Sequence, residues 1–77
     1  MKHKSNLESI KKAIDILGDL TKFSIALSIS YQTGMAWKHG RRTPSPIHCI
    51  KIQQITNGEV KAIDILPEYP WKDFSQI

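Results

Sequence analysis

Only one cysteine, Cys49, occurs in the 77 residues. A lone thiol excludes an intrachain disulfide and any zinc site built on several cysteines at set spacing, and it points to a reducing compartment. Apolar residues nowhere run to the roughly 20 that a membrane-spanning helix needs. No apolar segment follows the basic start Met1-Lys2-His3-Lys4, so it does not read as a secretory signal. There is no glycine-rich loop of the kind that cradles phosphates, and the acids form no close pair suited to general acid–base work. His3, His39 and His48 are scattered. His48 adjoins Cys49, but neighbours on a helix point about 100° apart, so the two do not face each other as a catalytic pair must. A lone cysteine is more simply a buried structural thiol. The expectation is a protein that is not an enzyme, with no catalytic residue, metal, cofactor, small-molecule ligand or membrane partner. A core this small also leaves no room for a sizeable substrate pocket.

A second absence is local. Residues 20–58 contain no Asp or Glu, yet Lys22, Lys38, Arg41, Arg42 and Lys51 all fall there. The seven acids lie outside that stretch, and the net charge is +4 with a pI near 9.4. Such a middle suits a polyanionic partner, although a solvated basic face would look the same on charge alone.

The apolar residues are spaced for helices. Leu7, Ile10, Ile14 and Leu17 step by three or four, with Ala13 and Ile16 flanking, so they predict one amphipathic helix. Ser5 with Glu8, or Asn6 alone, would cap it, and Gly18 would stop it. Asp19 would cap a second helix over about residues 20–27, in which Phe23 and Leu27 share a face. After the short break Ser28-Ile29-Ser30, a third helix is expected to run from Tyr31 to the stop at Gly40. Trp37 would lie on its inner side, with Tyr31, Gln32, Thr33, Met35 and Ala36 turned outward. Ser45 as cap and Pro46 at the first helical position open a fourth helix to about Thr56. Its apolar side would be Cys49, Ile52 and Ile55, or Ile47 and Ile50 on the neighbouring face. Asn57-Gly58 ends it. A last turn or two spans residues 61–66 before Pro67, and the tail looks irregular, free either to pack on the body or to serve an interface.

Together these predict an all-α fold, a small four- to five-helix bundle in one domain over residues 1–77. Two helices around a three-residue break, at about residues 20–39, make a helix-turn-helix. In that arrangement the third helix enters the major groove of double-stranded DNA. Gln32 is the best base reader, because its amide can exchange a donor and an acceptor with adenine. Tyr31 and Thr33 can reach a base edge or a phosphate, and Met35 or Ala36 a thymine methyl. Ser30, Thr21, Lys22, Lys38, Arg41 and Arg42 would meet the phosphates.

Five stretches, in this order and spacing, resemble the Cro-like repressors of lambdoid phages and prophages and the related YdaS-type antitoxin-like regulators. They are Ala26-Leu27-Ser28-Ile29-Ser30-Tyr31-Gln32-Thr33, Trp37-Lys38-x-Gly40-Arg41-Arg42-Thr43-Pro44, Cys49-x-x-Ile52, Thr56-Asn57-Gly58-x-Val60 and Leu66-Pro67. The resemblance covers about residues 7–71. It implies a lambda-repressor-like DNA-binding fold, binding to an operator, a homodimer on two half-sites, and a cytoplasmic life on the nucleoid of a bacterial host. It maps base contacts onto Tyr31, Gln32, Thr33, Met35 and Ala36, and backbone contacts onto Thr21, Lys38 and Arg41. The function it implies is repression by operator occlusion. One alternative is an antitoxin-type regulator that also holds a toxin protein through the tail from Tyr69 to Phe74. Another is a non-DNA interaction module with a decayed motif.

Four positions depart from the family pattern. Ser24 replaces an Ala. Ser28 replaces a Gly whose backbone is left-handed, which would strain it. Gly34 replaces a buried Val or Ile, which loses packing and weakens the helix by about 1 kcal/mol relative to Ala; this predicts a third helix that is loose until DNA binds. Lys61 replaces the Thr that caps the last helix, leaving that segment open to be helix or strand.

Overall fold

The computed structural model describes residues 5–71. Five helices follow one another: α1 (Leu7–Leu17), α2 (Leu20–Leu27), α3 (Tyr31–Lys38), α4 (Pro46–Ile55) and α5 (Ala62–Ile65). No strand occurs among the described residues, which resolves the C-terminal segment as helical.

Side chains at the helix starts explain where each begins. Asn6, rather than Ser5, caps α1: its Oδ1 accepts from the Glu8 and Ser9 amides at 3.0 and 3.4 Å. Asp19 Oδ1 accepts from Lys22 N–H at 2.8 Å, and Ser30 and Ser45 accept from Thr33 and His48 N–H at 3.1 and 3.3 Å. Each cap satisfies at least one of the orphan donors of a helix terminus. Lys61 stands at the cap of α5, but an ammonium has no acceptor atom. Two other groups serve instead, one from α4 and one from α5 itself: Gln53 Oε1 accepts from Ala62 N–H at 2.8 Å and Asp64 Oδ2 from Lys61 N–H at 3.1 Å. The single turn of α5 is thus held by α4, and Asn6 N–H ties it to α1 through the Ile65 carbonyl at 2.7 Å.

The core is the place where these elements meet. Ile10, Ala13 and Ile14 of α1 pack with Leu20, Phe23 and Leu27 of α2, Trp37 of α3, Cys49 and Ile52 of α4, and Val60, Ala62, Ile65 and Leu66. In α4 the Cys49–Ile52 side faces inward, whereas Ile47 is 67 % exposed. Burial pushes the Cys49 thiol up to about 12, so it is a filler and not a nucleophile. Thr56 brings an enclosed hydroxyl group to this region: it donates to the Ile52 carbonyl at 2.8 Å and accepts from Val60 N–H at 3.2 Å.

The described part of the tail packs on the body. Tyr69 and Trp71 lie against the core, their rings 4.9 Å apart, and Trp71 Nε1 donates to the Leu66 carbonyl at 2.7 Å. A tail held out for a partner is therefore corrected for Tyr69 and Trp71, because their apolar surface is already in use; Phe74 lies outside the described residues.

Candidate nucleic-acid interface

The turn between α2 and α3 is tight because Ser28 takes the left-handed conformation, φ 57° and ψ 41°. Its N–H and that of Ile29 close back on the carbonyls of Ile25 and Ser24, at 3.1 and 3.0 Å. A side chain at this conformation carries strain that glycine would avoid.

α3 is anchored from the inside by Trp37, which is 4 % exposed. Its ring meets Phe23 edge-on at 6.4 Å and His48 at 5.2 Å. Gly34 is buried as well. A Cβ built on it would lie 2.7 Å from Ser24 Oγ and 3.1 Å from Leu20 Cδ1. The glycine therefore permits a close helix crossing rather than leaving a hole, which corrects the expected loss of packing there.

The opposite face carries Tyr31 and Gln32, both exposed; Met35 one turn on, expected to turn outward, is half-buried and packs in part against the core. Ala36 is buried, which corrects its outward placement. Its carbonyl is engaged as well: the N–H groups of Arg41 and Arg42 both reach back to it, at 2.9 and 3.3 Å. Thr33 is half-buried, and its Oγ1 shares a 2.9 Å hydrogen bond with Ser30 Oγ. Its hydroxyl is thus committed to the cap.

Polar groups stand at both ends of α3. At the start, the first intrahelical bond runs from Gly34 N–H to the Ser30 carbonyl, so the amides of Tyr31 and Gln32 have no helical acceptor and the positive end of the dipole is exposed there. Thr21 is exposed near the start of α2, and Ile25, 72 % exposed, lies one turn on along the same face. Ile25 was absent from the residues picked out by sequence; its only signal there is that it falls off the buried spacing of Phe23 and Leu27. Lys22 is exposed, but its stem lies back along Gly18. At the far end, Lys38 is half-buried and Arg41 and Arg42 are exposed. Gly40, φ 77°, sends the chain onward beside Leu7. Next to this end, burial and the nearby Lys51 charge lower the His48 pKa, and its Nδ1 lies 2.8 Å from Ser45 Oγ.

Among the described residues no group of His, Cys, Asp and Glu is arranged to hold a metal ion, and no helix is long and apolar enough to cross a membrane. The arrangement offers an exposed helix face between two sets of hydroxyls, amides and cations.

Known proteins resemble this chain in sequence and fold. A solved Cro protein from the putative prophage element Xfaso 1 of Xylella fastidiosa strain Ann-1 superposes with a TM-score of 0.73 at 26 % identity, covering 79 % of this chain and 92 % of that one. The regulatory protein Cro of Pseudomonas phage D3 is 25 % identical over 67 residues, 87 % of this chain and 92 % of its own. The family model described as bacterial toxin YdaS matches residues 10–74. With that match spanning α1 from Ile10 through α5 and beyond, the chain belongs to the bacterial toxin YdaS family.

Proposed function

We propose that this protein is a sequence-specific DNA-binding repressor of Cro type, phage or prophage encoded, that acts by covering its operator in the host cytoplasm. The observation that carries the reading is the exposed face of α3, with Gln32 and Tyr31 free while the opposite side is locked on Trp37. A helix with its side chains is about 10–12 Å across, close to the width of the major groove, so the eight residues of α3 can lie in it. Its two polar ends then fall where the flanking phosphates run. Ser30 and Thr21 serve one strand, with Lys22 swinging off Gly18 to join them; Lys38, Arg41 and Arg42 serve the other. Gln32 reads adenine through its amide, and Tyr31, the Thr33 methyl and Met35 complete the base contacts. Ala36 is left out because it is covered. The likeness to two Cro proteins along most of their length supports the same reading.

Two copies on adjacent half-sites would place their α3 helices about 34 Å apart, one turn of the duplex. Ile63, 51 % exposed on α5, is one apolar group available for a weak two-fold contact; its neighbours Ile65 and Leu66 are buried in the core. Occlusion needs no further machinery at this size.

Selection of binding sites from a random duplex pool, followed by salt titration, tests the proposal. A palindromic motif with affinity falling steeply in salt supports it. No motif, with only weak generic binding, rejects it.

A further inference from the structure

Gly34 has no need of glycine for its own backbone, since it is absent from the positive-φ positions and lies inside a regular helix. A helix interior is where glycine costs most relative to alanine. The requirement comes from α2. Ser24 is 4 % exposed, and its hydroxyl has no hydrogen-bond partner among the described residues. It fills the space into which a Cβ on residue 34 would project, at 2.7 Å, with Leu20 Cδ1 closing the other side at 3.1 Å. A buried hydroxyl normally turns to a carbonyl of its own helix; this one is spent against α3 instead.

We infer that Ser24 and Gly34 are a matched pair of positioning residues that set how deeply α3 seats on α2, and thereby fix the reach of Gln32 into the groove without touching DNA. The inference rests on the DNA-reading proposal above. α3 is a short rigid unit, so a displacement at Gly34 is passed on to Gln32 two residues away. A bidentate amide contact tolerates little, because hydrogen bonds weaken beyond about 3.2 Å and productive sites are held to about half an ångström. Adding one carbon at residue 34 forces a shift of that order unless Ser24 yields.

The test compares the full-length chain with Gly34→Ala, and with Gly34→Ala combined with Ser24→Gly. Each is measured on the selected duplex and on a scrambled duplex at one salt concentration, with thermal unfolding alongside. Gly34→Ala is expected to lose discrimination about tenfold, within the range one bidentate base contact supplies, while binding to scrambled DNA holds. Ser24→Gly in the same chain vacates the contested space and restores discrimination. If Gly34→Ala fails to fold, recovery of both folding and discrimination in the double variant supports the pair. Discrimination kept by Gly34→Ala overturns the inference: the hydroxyl has then swung to the Leu20 carbonyl and α3 has not moved. A double variant without rescue overturns it too. A wild-type chain with no preference for any duplex rejects the function and this inference together, and is thereby told apart from those two outcomes.

Discussion

Replacing Thr56 with Val should cost this protein a large part of its stability, although the two side chains have nearly the same shape. No cavity opens, so the change is purely polar. The wild-type hydroxyl donates to the Ile52 carbonyl at 2.8 Å and accepts from Val60 N–H at 3.2 Å. Ile52 keeps a partner, since its carbonyl also accepts from Thr56 N–H at 3.1 Å. Val60 does not: it is 1 % exposed, and its amide is left without water or acceptor. An orphaned buried donor costs about 1–3 kcal/mol and the lost donation about 0.5–1.5 more, so a loss of about 2–3 kcal/mol is expected. A chain of 77 residues has about 4–12 kcal/mol in all at about 0.05–0.15 kcal/mol per residue. At about 4–8 °C per kcal/mol the midpoint should fall by about 10–20 °C. Thermal unfolding followed by circular dichroism reads this directly. Thr56→Ser, which keeps the hydroxyl and loses a buried methyl, should fall only about 1 kcal/mol. A Val variant as stable as the Ser variant would refute the reasoning, because packing and not hydrogen bonding would then hold the α4–Val60 joint.

Three further outcomes follow from single residues. Ser28→Gly relieves the left-handed strain at an exposed turn and should raise stability by about 0.5–1 kcal/mol, read as a higher urea midpoint at unchanged slope. His48 has a folded pKa below its ordinary 6.5, so the unfolded chain takes up its proton first. The stability this neutral imidazole contributes is full above pH 6.5 and is lost as pH falls through the window beneath it; wild type should therefore lose more of its melting temperature between pH 7.5 and 5.5 than His48→Gln does. Arg41→Ala should lower the slope of log affinity against log salt by about 0.9, one phosphate contact, and leave the preferred sequence unchanged; an altered preference would mean that Arg41 reads bases.

Local chemistry carried most of the fold into view from sequence. The caps Asp19, Ser30 and Ser45, Pro46 at the start of α4, and the stops at Gly18 and Gly40 each act within one turn, so neighbours in the chain suffice to read them. The left-handed Ser28 was legible through the family pattern for the same reason. What escaped depends on contacts between distant segments. Lys61 looked like a missing cap because its substitute, Gln53, comes from another helix. Gly34 looked like lost packing because the sequence does not tell how closely α2 and α3 approach. Ala36 looked exposed because helical spacing within α3 does not tell what other segments lie against it. The tail was ambiguous until the Trp71 indole was seen on the Leu66 carbonyl. The exposed candidates of the interface, Tyr31 and Gln32, sit where spacing alone put them, since their position is set by Ser30 one and two residues before.

The central claim is that the outer face of α3 reads DNA sequence through Gln32. The most direct test is the ratio of affinities for the selected and the scrambled duplex in wild type and in Gln32→Ala, at one salt concentration. The account predicts that the ratio falls by the about 1–3 kcal/mol of one bidentate contact, about 5- to 150-fold, while scrambled-duplex affinity and its salt slope hold. An unchanged ratio would contradict it.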